Sequence, residues 1–393
     1  MHSQSFSPKE LYRFATQTER RNYGLKKEEL IEAIDRELGS SLVDGTYRFR
    51  IKKIGNLFIN ARKKKSIDYL CQNLILRKLH NNIKTIYSVQ QADRNAIVGQ
   101  MKVLLNENVD MWAVRLDVRH FYESINRDKI LNKITEDARL SYQTMELLLS
   151  LFNDTIVSSD TGIPRGLGVS AALSEMYMKY IDLSLRRVDG VYYYARFVDD
   201  IIMFCSSARS RDLVMDTATK ELADLGLSLN MEKSYTWESM NPGRDLIYLG
   251  YSFRKKGKQL DVSIADAKIK VIKTRLTKSF VRYAKDHKFI DLKLRIKFLT
   301  GNFTLYQEGS LLPIKVGVFF NYKMVTNVDV LNELDRYYQS LLHCRTGKLG
   351  SRLSFTKAES KDLKKYSFRF GFEHHVNHHF TNEQVATITN CWL

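Results

Sequence analysis

The chain has 393 residues, which at roughly 100–200 residues per domain makes two or three domains. Hydrophobic residues form 44% of it and aromatics 11%, which excludes a disordered chain, while 4 Pro and 19 Gly exclude collagen-like and proline-rich linker classes. Lys and Arg number 62 against 44 Asp and Glu, and a net charge of +18 favours a polyanionic partner, nucleic acid ahead of an anionic membrane surface.

In chain order, the first 45 residues read as polar helices, with Leu30, Ile31, Ile34 and Leu38 at helical spacing. Residues 47–65 are basic and alternate like a hairpin, with Gly55-Asn56 as the turn. Ser66 is placed to cap a helix, and a second helix is predicted over about 95–105. Residues 112–118, WAVRLDV, form an apolar strand ending at an acid, and 171–186 a helix. Residues 191–205, VYYYARFVDDIIMFC, read as two strands with an acidic pair at their junction. Strand, helix, strand, strand suits an α+β sheet domain. Residues 251–300 then hold 15 Lys/Arg against 4 Asp/Glu and include an amphipathic basic helix.

The four cysteines, Cys71, Cys205, Cys344 and Cys391, form no C-x-x-C pair and fit a reduced cytosolic setting. No apolar signal segment and no run of 18 apolar residues is read, so a cytoplasmic protein without a membrane partner is expected. His374, His375, His378 and His379, with Cys344 or Cys391, match no standard zinc spacing, and RNA contact or surface packing is the preferred reading.

Asp117, Asp199 and Asp200 carry the chemistry. A carboxylate at the end of an apolar strand is costly without a cation, and two adjacent ones repel. Oxygen ligands of this kind suit Mg²⁺, with Mn²⁺ as a substitute. The competing reading of Asp199-Asp200 alone is a tight turn.

The surrounding pattern decides between them. LDVRHFYESI (116–125), GIPRGLGVSAALSEMYM (162–178), YARFVDDIIMF (194–204), GLSLNMEKSYTW (226–237) and YLGYSF (248–253) resemble, in order, the five palm motifs of prokaryotic reverse transcriptases. The resemblance implies a right-hand polymerase: N-terminal helices and fingers over 1–110, a palm over 111–253 with a fingers insertion at about 126–160, a basic helical thumb over 254–345 and a C-terminal extension over 346–393. It also implies two Mg²⁺ ions held by Asp117, the Val118 backbone, Asp199 and Asp200, with the primer 3′-hydroxyl attacking the α-phosphate. Lys233 falls where the family has a general acid for pyrophosphate, or is a solvated lysine. Tyr122 is the steric gate that favours dNTPs, or an ordinary core tyrosine beside Phe121.

Lys52, Lys53, Arg62 and Arg94 are candidates for the triphosphate. Gly162, Pro164, Arg165 and Gly166 form the loop under the templating pair, with Ser170 placed to cap the next helix. Arg165 replaces the usual glutamine, Ala171 a common proline and Phe197 the usual tyrosine. Leu249 and Gly250 fall in the primer-grip hairpin, and Lys268, Lys273, Arg275, Lys278 and Arg282 are expected to track a nucleic-acid backbone.

No integrase, endonuclease or RNase H segment is read, and the retron V-T-G and N-A-x-x-H signatures are missing. The resemblance is therefore greatest to stand-alone bacterial reverse transcriptases of the abortive-infection and unknown groups. This implies a non-coding RNA template, a DNA product, and a second polymerase subunit or a homo-oligomer, in antiphage defence. Template-independent or protein-primed synthesis, RNA-templated RNA synthesis and a catalytically inactive RNA-binding subunit remain as alternatives.

Overall fold

A computed structural model of the chain describes residues 3–107, 109–240, 243–257, 259–305 and 314–392. They form two compact units, one built from residues up to Asp93 and from Asp110–Met240, the other from Arg94–Val109 and the described residues after 240. Among the described residues, no helix is long and apolar enough to cross a membrane.

The first unit begins with helices and a two-stranded hairpin, β1 (Ile51–Ile54) and β2 (Leu57–Asn60), turning at Gly55-Asn56 as the sequence predicts. Ser66 accepts from the Tyr69 backbone N–H and caps the Ile67–Ile86 helix. The central sheet holds β3 (Trp112–Asp117), β4 (Val191–Phe197), β5 (Asp200–Cys205) and β6 (Tyr235–Glu238), in the order β4-β5-β3-β6, all antiparallel. Period-two alternation sends Val114, Leu116, Ile201 and Met203 into the main core, where the Gly168–Arg186 and Ala208–Leu225 helices also bury their apolar faces. Arg115 and Asp117 therefore stand on the opposite face of the same strand.

Ser170 does not cap its helix. The helix starts at Gly168, so Ser170 lies in the first turn, and its buried hydroxyl donates to the Pro164 carbonyl at 2.8 Å. It ties the preceding loop down instead.

The second unit contains a sheet of β7 (Leu246–Tyr248), β8 (Tyr251–Lys256) and β9 (Gln259–Ile264), and a hairpin of β10 (Asn302–Leu305) and β11 (Ile314–Gly317). The Asp266–Asp286 helix is amphipathic as predicted: Ile269, Leu276, Phe280 and Tyr283 are buried, while Lys268, Lys270, Arg275, Lys278 and Arg282 are exposed. His374 stacks on Phe370 with ring centroids 4.1 Å apart, and His375 packs on Phe319 at 3.7 Å.

Candidate active site

The register of the central sheet builds the site. Asp117 ends β3 directly opposite Asp200, the first residue of β5, and the Val118 N–H donates to the Asp199 carbonyl at 3.0 Å. Phe197 pairs with Asp200, so Val198 and Asp199 alone make the turn between β4 and β5. The segment after the Ala208–Leu225 helix closes the other side. The Arg119 N–H donates to the Ser228 carbonyl, the Asn230 N–H to the Asp117 carbonyl at 2.7 Å, and the Asp117 N–H to the Ser234 hydroxyl at 3.1 Å. This wrapping brings Lys233 Nζ to 3.4 Å from Asp117 Oδ1.

Asp117 and Asp199 line a cavity of about 540 Å³ with Val118, Arg165, Lys233 and the hairpin-tip residue Asn56. Asp200 is engaged differently: Arg115 Nε and Nη2 reach its two oxygens, each at 3.0 Å. Burial pushes the Asp200 carboxyl up to about 6, against the pull of Arg115 and with help from Asp117 and Asp199. Burial, and then Asp117, also raises Asp199 above the usual carboxylate range. Among the described residues, no group of three or more His, Cys, Asp or Glu side chains is arranged to hold one ion. The structure thus brings Asp117, Asp199 and Lys233 to one cavity and joins Asp200 to Arg115.

The loop carrying Gly162, Pro164, Arg165 and Gly166 docks at two points. The Ile163 N–H donates to the Tyr122 carbonyl at 2.9 Å, and the Phe58 N–H of β2 donates to the Arg165 carbonyl at 2.7 Å. Gly162 has φ +70°, and a Cβ there would lie 2.1 Å from the Tyr122 carbonyl oxygen, so glycine is required. Arg165 sits over the Tyr122 ring, 5.4 Å from its centroid, and 3.7 Å from Glu123. Burial raises the Tyr122 hydroxyl above its ordinary value.

The fingers candidates differ in their surroundings. Lys52 is exposed, Lys53 pairs with Asp160, and Arg62 pairs with Asp68 while also donating to Gln72 and to the Arg48 carbonyl. Arg94 belongs to the second unit, where it donates to the Leu249 and Asn321 carbonyls and lies over the Tyr251 ring. Leu249 and Gly250, with φ of +47° and +81°, form the β7–β8 turn. On the basic helix, Lys273 pairs with Glu333, Arg282 with Asp286, Lys278 donates to the Trp392 carbonyl, and Arg275 lies over the Trp392 ring. Lys268 carries its aliphatic stem past Gly250.

Arg115, Asn230 and Ser234 escaped the sequence reading. Arg115 had a signal, since a residue two before Asp117 on a strand shares its face. Asn230 and Ser234 act through a chain reversal that spacing does not reveal.

A sequence profile described as "Reverse transcriptase (RNA-dependent DNA polymerase)" matches residues 59–280, more than half of the chain. The chain belongs to the reverse transcriptase family. That family and the observed sheet define its class as the α+β right-hand polymerase fold. "Protein P" of woolly monkey hepatitis B virus is 28% identical over 112 residues, which cover 28% of this chain and 13% of that protein's length. Among solved structures, telomerase from Candida albicans in complex with a TWJ fragment of telomeric RNA is similar at 11% identity and TM-score 0.42, covering 93% of this chain and 62% of that one. Apo telomerase from Candida tropicalis, truncated from its C-terminal domain, is similar at 15% identity and TM-score 0.39, covering 56% and 55%.

Proposed function

We propose that the protein is an RNA-directed DNA polymerase that extends a primer by metal-assisted nucleotidyl transfer. The observation that carries this reading is the pairing of Asp117 and Asp199 on one cavity, with Lys233 and Arg165 on its walls. The donor set fits a hard divalent cation: two carboxylates on adjoining backbone segments, one of them raised by burial and by the other's charge, are eased by Mg²⁺ or Mn²⁺. Asp117, Asp199 and the Val118 carbonyl would hold it, with Asp200 joining a two-ion arrangement. Bound there, the metal would lower the pKa of an attacking hydroxyl and offset the negative charge that builds on the phosphoryl oxygens. Lys233 stands beside Asp117 to deliver a proton to departing pyrophosphate. Tyr122 lies under the sugar, and Arg165 and the glycine loop support the templating pair. Lys52, Lys53 and Arg62 are the triphosphate contacts, the two paired ones exchanging Asp160 and Asp68 for phosphate. Residues 254–345 serve as the thumb, and its basic helix tracks the hybrid together with the 248–251 turn.

The finer reading extends the motif resemblance: a stand-alone bacterial enzyme of the defence-associated groups, copying an associated non-coding RNA into DNA in the cytoplasm, alone as an oligomer or with a second subunit. The deciding experiment supplies the purified protein with dNTPs, Mg²⁺ and its co-purifying RNA. DNA whose sequence complements that RNA, and which RNase pretreatment abolishes, is the expected product. Product that resists the pretreatment sinks RNA templating in favour of template-independent or protein-primed synthesis. Phage plaque counts in cells carrying the wild type or Asp199→Asn test the defence role.

A further inference from the structure

We propose that Arg196 is a positioning residue that sets the place of Asp199 through a buried acidic frame on the neighbouring helix, a role that rests on Asp199 being a catalytic carboxylate. The turn that presents Asp199 has a built-in difficulty. Val198 sits at φ +61°. A β-branched side chain in the left-handed region is an outlier, and in a two-residue hairpin that position favours glycine. Such a conformation persists only where the surroundings over-determine it.

Arg196 supplies that determination. It is 7% exposed, and all of its guanidinium nitrogens are engaged. Nε and Nη2 fork onto the two oxygens of Asp182 at 2.7 and 2.8 Å. Nη1 and Nη2 fork onto the two oxygens of Glu175 at 3.2 and 2.7 Å. Nη1 also donates to the Val198 carbonyl at 3.0 Å, next to Asp199 in the chain. Tyr194 donates to Asp182 at 2.5 Å and fixes the frame from the strand side. Glu175 and Asp182 lie two helical turns apart on the Gly168–Arg186 helix, so the guanidinium spans them and is left with one orientation. Its fork geometry suits this, as a lysine's ammonium does not.

The competing account is that the network stabilises the fold and nothing more. Two variants separate the two: Arg196→Lys, and the triple Arg196→Met/Glu175→Gln/Asp182→Asn, which leaves no charge unpaired. Thermal melting reads the fold, single-turnover incorporation on a primed RNA separates maximal rate from dNTP affinity, and EPR titration reads Mn²⁺ binding. The triple and Arg196→Lys are expected to melt close to the wild type. Both should lose at least ~10-fold in maximal rate with dNTP affinity kept within ~3-fold, on the scale that a displacement of about 1 Å costs. Mn²⁺ affinity should weaken by ~10-fold, as for partners that orient a ligand. Either folded variant matching the wild type in rate and Mn²⁺ affinity overturns the proposal. So does failure of both to fold, which would make the network structural only. A wild type that incorporates nothing sinks the polymerase reading instead, and the Mn²⁺ titration then decides the role of Arg196.

Discussion

Asp117 and Asp200 face each other across two paired strands, an arrangement that costs stability unless cations intervene. Arg115 provides one on the Asp200 side and Lys233 another on the Asp117 side. Arg115→Gln should remove the guanidinium that holds both oxygens of the buried Asp200, lowering stability by on the order of 3 kcal/mol. Adding Asp200→Asn should restore most of that, and a double-mutant cycle in urea unfolding reads the coupling. At Tyr122, the Arg165 guanidinium lies over the ring. Tyr122→Ala should shift the dNTP-to-NTP preference towards NTPs by at least ~10-fold, about 1.4 kcal/mol. Unchanged sugar selectivity in competitive incorporation would refute the gate. At this scale the meeting of Asp117 and Asp199 on one cavity was legible, because strand ends survive into the fold. The partners of Lys53 and Arg62 were not. Asp160 lies 107 residues from Lys53 in sequence, and no local pattern says which cation meets which acid.

Elements succeed or fail here through a few contacts. The loop at 162–166 holds its shape because Gly162 leaves room for the Tyr122 carbonyl, and Ser170 ties the Pro164 carbonyl from the helix side. Gly162→Ala forces a Cβ into backbone at a positive φ, so incorporation should fall by at least ~100-fold through misplacement of the gate. A variant with normal rates would show that the loop adjusts freely. The capping expectation for Ser170 failed because the helix starts at Gly168, three residues before the predicted start at 171, which leaves Leu167 at the N-cap. In the N-terminal helices, Arg77 forks onto Glu19 at 2.7 Å. Burial pushes the Glu19 carboxyl up, but Arg77 and Thr16 outweigh it and hold it below its ordinary value of 4.5. A lowered carboxylate adds stability above its unfolded pKa and loses it as the pH falls through the folded one. Glu19→Gln should therefore cost stability at pH 7, on the order of 3 kcal/mol. The gap to the wild type should close as the pH falls below about 4.5, and denaturant midpoints measured across that range will show it.

For the whole molecule, the charge excess is concentrated in residues 251–300, and the described structure resolves part of it into internal pairs. Lys273 and Arg282 already have acidic partners, so they add less to nucleic-acid binding than the exposed Lys268 and Lys270. Replacing these two lysines by Ala should reduce the slope of log affinity against log salt for a primed RNA by about 1.5. An unchanged slope would remove the basic helix from the nucleic-acid path. The α+β class was readable from the order of apolar runs. The division of the chain was harder to read, since Arg94–Val109 joins the second unit through the β9 side of its sheet, a non-local packing choice that no linker composition announces.

The central claim is that Asp117 and Asp199 together hold the metal that drives nucleotidyl transfer. Incorporation by Asp117→Asn and Asp199→Asn, measured beside their binding to a primed RNA, tests it most directly. Each variant is expected to lose at least ~1,000-fold in maximal rate, ~4 kcal/mol of transition-state stabilisation, with hybrid affinity retained. Either variant extending the primer at the wild-type rate would contradict the account.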